Sequence, residues 1–177
     1  RLRYPWRAIA LGVAGLVAAA VTADRVFPPD LSRYHDRSQV VFDRDGGILR
    51  AFPASDGNWR LAATVREVPR VYLDQLIAFE DRRFRWHPGV DPVAGLRAVG
   101  QAIAAGRIVS GASTLTMQAV RLLEPRPRTV CAKLIEVMRA LQIEWRFDKN
   151  EILNIYLTMA PYGGTLSGIR AASLAYF

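Results

Sequence analysis

The chain has 177 residues, 51% of them hydrophobic, and a formal net charge of +8. That is enough for one ordinary domain plus a short extra element, too apolar for wholesale disorder, and basic enough to suit an anionic partner such as nucleic acid, anionic lipid or a phosphate-bearing substrate. The single cysteine, Cys131, excludes an intramolecular disulfide, and His35 and His87 lie too far apart for a zinc-ligand spacing, while a magnesium or manganese ion held by carboxylates stays open.

Residues 8–23 are small or apolar and carry no charge. Arg1, Arg3 and Arg7 precede the run, with Tyr4 and Trp6 where an interfacial aromatic belt would lie, and Asp24 and Arg25 follow it. The excess of arginine ahead of the run puts the N-terminus in the cytoplasm and the remainder outside. The run falls short of the ~20 residues a span needs. Its flanks, residues 4–7 and Val26-Phe27, must therefore contribute, with Arg7 snorkelling. A secretory signal cleaved near Ala18-Ala19-Ala20 and a buried core helix are the competing readings. We take residues 1–27 as a basic flank and transmembrane anchor. The chain begins on Arg1 without a methionine and ends in an uncapped helical pattern, so it reads as part of a longer product.

Phe27-Pro28-Pro29 breaks the first helix. In the linker, residues 28–68, two apolar runs at 39–42 and 48–52 flank Asp43-Arg44-Asp45-Gly46-Gly47, which reads as a β-hairpin. Residues 59–62 form a candidate third strand. From residue 69 to 177 the pattern is helical. Leu73, Leu76, Ile77, Glu80 and Phe84 share one face. Asp91-Pro92 starts a helix that stops near Gly106. Ser113 or Thr114 caps another, reaching about Leu123. Leu134, Met138, Leu141 and Trp145 form the apolar stripe of the next, and Asp148 with Glu151 is a capping-box variant. Gly163-Gly164 and Gly168 separate that helix from a last one near 169–177.

Two carboxylates stand out. Glu80 falls on an apolar face, where partial desolvation suits proton transfer; an ion pair with Arg82, Arg83 or Arg85 is the alternative. Glu136 lies with Lys133 and Arg139 on one helical face, as a site residue or as a solvated ion-pair row. Gly111-Ala112-Ser113-Thr114 opens an apolar helix and suits a phosphate, with Arg107, Arg121, Lys133 and Lys149 as candidate cations.

Taken together, these segments resemble the peptidoglycan glycosyltransferases of class A penicillin-binding proteins and their monofunctional relatives. EDRRFRWHPGVD (80–91) is similar to E-D-x-x-F-x-x-H-x-G-x-D, and GASTLTMQ (111–118) to G-G-S-T-[IL]-T-Q-Q. AKLIE (132–136) is similar to R-K-x-x-E, and KNEILNIYLT (149–158) to K-x-x-I-L-x-x-Y-L-N. The likeness covers residues 40–177. Ala112, Met117, Ala132 and Thr158 depart from the pattern, and with MAPYGGTLSGIRAAS they look most like the penicillin-binding protein 1C subgroup, which implies a transpeptidase domain beyond Phe177.

The resemblance implies a mainly α, lysozyme-like domain that dips into the membrane. It also implies polymerisation of lipid II with inversion, from a glycan on undecaprenyl pyrophosphate. On that basis Glu80 is the general base and Glu136 acts at the pyrophosphate end, through a cation or by orienting Lys133. Asp81, Phe84, His87, Ser113, Thr114, Gln118, Arg121 and Lys133 would line the cleft. The loss of a cation at Ala132 would weaken phosphate binding. The rival readings are a glycan-cleaving enzyme and an inactive anchored scaffold that recruits other cell-wall synthesis proteins. A nucleic-acid role is disfavoured, because the anchor exports the basic residues and no recognition motif of the usual kinds is present.

Overall fold

The computed structural model describes residues 5–106 and 113–177. Arg1, Arg3 and Tyr4 of the basic flank, Arg107, and Gly111-Ala112 of the second motif lie outside the described residues. Among those described, eight helices and four short strands follow one another: α1 (Pro5–Val26), α2 (Ser32–His35), β1 (Gln39–Phe42), β2 (Ile48–Phe52), β3 (Trp59–Arg60), α3 (Arg70–Glu80), α4 (Pro92–Ala105), α5 (Leu115–Leu123), α6 (Val130–Arg146), α7 (Lys149–Met159), β4 (Leu166–Ser167) and α8 (Ile169–Tyr176). The protein is mainly α, with an N-terminal apolar helix and a small hairpin, as its sequence predicts.

At ~1.5 Å per residue, the 22 residues of α1 extend about as far as a bilayer's hydrocarbon core is thick. Over Ile9–Val26 it is apolar enough to cross a membrane, and none of that stretch is buried against the protein. The exposure removes the core-helix reading. The far end of α1 is tied down: Arg146 of α6 pairs with Asp24 at 2.8 Å, and Gln142 donates to the Phe27 carbonyl at 3.2 Å.

β1 and β2 pair antiparallel, with Gln39 opposite Phe52. The Asp43 carboxylate accepts from the backbone N–H of Asp45 and of Gly47 and shapes the turn, which passes through Gly46 at φ 85°. The third strand does not extend this hairpin. β3 pairs in parallel with β4, more than a hundred residues later in sequence. Arg60, 1% exposed, fastens it by pairing with Asp56 at 2.7 Å and donating to the Asp36 carbonyl at 2.8 Å. A parallel partner so remote leaves no local sign in the sequence.

The core forms where α5 lies against α6 and α7, around Leu115, Met117, Val120, Leu123, Ile143 and Ile152. Four helices, α4 to α7, begin at residues whose side chains cap them. Asp91 accepts from Ala94 N–H ahead of α4, Thr114 from Met117 N–H ahead of α5, and Thr129 from Ala132 N–H ahead of α6. Asp148 and Glu151 form a reciprocal capping box on α7. α4 ends at Gly106 in the left-handed region, φ 63°. Thr158, at a family position otherwise held by Asn, is fully buried; its hydroxyl accepts from Ala63 N–H at 3.1 Å and so joins the linker to α7.

Two expectations about helix faces fail. The α6 stripe points outward, with Leu134 63%, Met138 58%, Leu141 41% and Trp145 78% exposed, while Ala140 and Ile143 enter the core. Phe84 does not continue the α3 face, because α3 ends at Glu80 and Asp81 turns away at φ −158°.

Candidate active site

The segment from residue 81 to 91 is a loop bound at four points. The Asp81 carboxylate accepts from Leu115 N–H at 3.0 Å and faces His87 Nε2 at 2.9 Å. Arg83 grips Asp91 with two bonds of 2.9 and 2.7 Å. Thr114 Oγ1 donates to the Gly89 carbonyl at 2.5 Å, and Lys149 Nζ to the His87 carbonyl at 2.6 Å. Gly89 has φ 89°, and a Cβ there would stand 2.8 Å from the Ala140 carbonyl oxygen, so only glycine lets the loop lie this close to α6. The loop thereby fixes where α3 ends and where Glu80 sits.

Burial separates the first-motif residues by task. Phe84 is fully enclosed and belongs to the core, and Asp81 and His87 are 7% exposed each. These three were expected along a cleft. Instead they brace the loop from within, because a carboxylate that receives Leu115 N–H has to lie at the buried start of α5. Thr114, 2% exposed, is likewise a buried cap.

Glu80 is exposed, against the expected desolvation, since the helix delivers it to the rim and not to the packed face. Among the described residues it makes no ion pair with the neighbouring arginines. Arg83 is taken by Asp91, and Gln118 Nε2 of α5 donates to Glu80 at 2.9 Å. Tyr156 lies beside it: burial first, then the nearby charges of Glu80 and Tyr72, push the phenol up to about 12. Tyr156 therefore stays protonated at neutral pH.

Three residues beyond Gln118, about one turn along α5, Arg121 reaches Glu136 at 3.1 Å. Lys133 approaches the same carboxylate at 2.8 Å and donates to Ser113 Oγ at 2.6 Å. Arg139, expected to flank Glu136, pairs with Glu124 at 3.3 Å instead. Ser113, Arg121, Lys133 and Glu136 open onto a cleft of about 420 Å³, whose other wall is the Arg126–Thr129 loop and Ala132. α5 thus carries contacts to both glutamates on one face. Thr114 begins that helix, and the loop it anchors ends α3 at Glu80.

Lys149, a candidate anion partner by sequence, is committed elsewhere. Its ammonium lies 2.7 Å from Glu144, which also accepts from Thr116 Oγ1 at 2.6 Å, and 4.6 Å from the centre of the Phe84 ring. Glu144, Tyr156, Arg126 and Arg128 were absent from the site read by sequence. Tyr156 stands in a motif and was visible; the others needed the packing of α5 on α6. Among the described residues no three His, Cys, Asp or Glu side chains converge, and Glu136 already faces two cations.

A family model described as transglycosylase matches residues 45–177. The chain is 46% identical over 171 residues to penicillin-binding protein 1C of Escherichia coli K12, covering 97% of this chain and 22% of that protein. It is 43% identical to penicillin-binding protein 1B of Haemophilus influenzae, covering 73% of this chain and 17% of that one. Against penicillin-binding protein 1A of Aquifex aeolicus it is 40% identical, over 85% and 19% respectively. The chain spans about a fifth of the length of these relatives. With three quarters of its residues inside the family match, and with the braced first-motif loop, α5 and the paired Glu136 all within it, the chain belongs to the transglycosylase family found in class A penicillin-binding proteins.

Proposed function

We propose that this chain polymerises lipid II into glycan strands, with Glu80 as general base and with Arg121, Lys133 and Ser113 at the leaving pyrophosphate. The observation that supports this reading is the unequal state of the two carboxylates that α5 contacts, Glu80 at the end of α3 and Glu136 on α6. Glu80 is exposed and receives one hydrogen bond from a neutral amide, so it is free to take a proton. Glu136 is held between a guanidinium and an ammonium and is suited to orient cations.

The acceptor sugar hydroxyl attacks the anomeric carbon of the donor glycan and passes its proton to Glu80. The bond from that carbon to the pyrophosphate oxygen breaks with inversion, through an oxocarbenium-like transition state. The leaving group departs as an anion, so it needs positive charge and not a proton, which Arg121 and Lys133 supply. No step is routed through a metal. The α1 helix would span the cytoplasmic membrane with the domain on its outer side. The exposed apolar face of α6, beside the tied end of α1, would then meet the lipid that carries the substrate.

The test is polymerisation of labelled lipid II by the full-length protein, wild type beside Glu80→Gln. Glycan chains from the wild type, reduced ~10²–10⁴-fold in the variant, are expected. Equal chains from both would make Glu80 structural. No chains from either, with lipid II still bound, would favour an anchored scaffold, and fragments released from finished peptidoglycan would favour a lytic enzyme.

A further inference from the structure

One carboxylate away from the cleft gathers three helices and the first-motif loop. Glu144, near the end of α6, accepts from Thr116 Oγ1 of α5 at 2.6 Å and from Lys149 Nζ, at the start of α7, at 2.7 Å. Its side chain is 10% exposed and that of Lys149 21%. An ammonium has three N–H groups. Those of Lys149 meet Glu144, the His87 carbonyl at 2.6 Å and the face of the Phe84 ring at 4.6 Å. The loop also rests on the stem of the carboxylate, since a Cβ at Gly89 would stand 2.9 Å from Glu144 Cγ.

These contacts converge on Glu80. Thr116 stands between Leu115, whose N–H binds Asp81, and Gln118, whose amide binds Glu80. His87, whose carbonyl Lys149 takes, faces Asp81 through Nε2. Asp81 follows Glu80 directly, at the end of α3. Neither Glu144 nor Lys149 lines the cleft at Glu136. A largely enclosed ion pair costs desolvation that its mutual attraction roughly offsets, and apolar side chains of similar volume hold a core about as well. What apolar side chains lack is direction. The ammonium holds a carboxylate and a carbonyl at hydrogen-bond length, and a reactive group needs to be placed to within about 0.5 Å.

We propose that Glu144 and Lys149 are positioning residues for the reaction: they set Glu80 against Gln118 through the first-motif loop and α5, without touching substrate. This rests on the glycosyltransferase reading above. It goes beyond that reading in making the rate depend on an ion pair away from the cleft, and it gives Lys149 a task other than anion binding.

The full-length protein in detergent would be assayed for lipid II polymerisation as wild type, Lys149→Met, and Glu144→Leu with Lys149→Met. The same pair of changes would be made in a Glu80→Gln background. Melting would be followed by calorimetry, and amide exchange over residues 81–91 and 114–118 by mass spectrometry. Lys149→Met alone leaves Glu144 enclosed without its cation and should lower Tm. The double apolar variant should regain most of that Tm, yet its kcat should fall ~10–100-fold with KM within about twofold of wild type. Its loop should also exchange faster. In the Glu80→Gln background the two changes should lower kcat by less than about threefold, because both act through one group. A wild-type kcat in the double variant, or an equal fall in both backgrounds, overturns the proposal and leaves the glycosyltransferase reading standing. Should the double variant not fold, Thr116→Val decides in its place, since it removes only the bond from α5 to Glu144. A kcat lowered about threefold or more at constant KM upholds the proposal, and an unchanged kcat overturns it. If the wild type makes no chains, the glycosyltransferase reading has failed and exchange decides: a faster loop in the double variant upholds the hold of Lys149 on it, and an unchanged one removes it.

Discussion

Asp91 shows how one side chain can serve both local and tertiary structure. It caps α4 through Ala94 N–H and locks Arg83 across the loop. Burial pushes its pKa upward, but the Ala94 N–H bond and the Arg83 guanidinium prevail, and the carboxyl titrates below its ordinary value of 3.8. A depressed folded pKa adds stability that is fully present above the unfolded value and is lost as pH falls through the folded one. Asp91→Asn keeps an acceptor for the cap and loses the charge. In urea melts it should be less stable than wild type by about 1 kcal/mol at pH 7, allowing for the partial exposure of Arg83. The gap should narrow steadily once pH drops below about 4. A gap that stays constant down to pH 3 would mean the ion pair contributes nothing.

For the helices, the deciding feature is which face is covered. α6 carries two apolar rows. The one that an amphipathic reading selects, Leu134, Met138, Leu141 and Trp145, looks outward, while Ala140 and Ile143 are fully buried. Truncating a buried isoleucine removes packed methylenes and leaves a cavity, whereas an exposed methionine has little packing to lose. Ile143→Ala should therefore cost about 2–4 kcal/mol in denaturant melts, and Met138→Ser under about 0.5 kcal/mol. Met138→Ser should instead lower binding to lipid vesicles if that face meets the bilayer. Comparable destabilisation by both would show that the outward row is covered.

For the molecule as a whole, the proposed anchoring by α1 puts the domain on the outer side of the membrane, which labelling can test. The single cysteine of the chain provides a reporter. Cys131 is exposed at the start of α6, beside the cleft. With any cysteine outside these residues replaced, a membrane-impermeant maleimide should label Cys131 in intact spheroplasts. Labelling that requires lysis would reverse the orientation assigned to α1.

The physics of single residues and short periods was legible in the sequence. Both hairpin strands, the Asp91 and Thr114 caps, the Asp148 capping box and the Gly106 stop depend on neighbours within about five positions, and each appears where the sequence puts it. The family, and with it the lysozyme-like helical class, was legible from four motifs in order. What could not be read was anything set by contact between distant segments. Periodicity marks that α6 has apolar rows but not which one α5 covers. A motif places Glu80, Asp81 and Phe84 side by side, but only the end of α3 sends Glu80 to the rim and the other two inward. The pairing of Arg121 with Glu136, and the loop that brings Arg128 to the same cleft, exist because α5 packs on α6. Burial and partner choice are properties of that packing, and so the tertiary structure alone decided them.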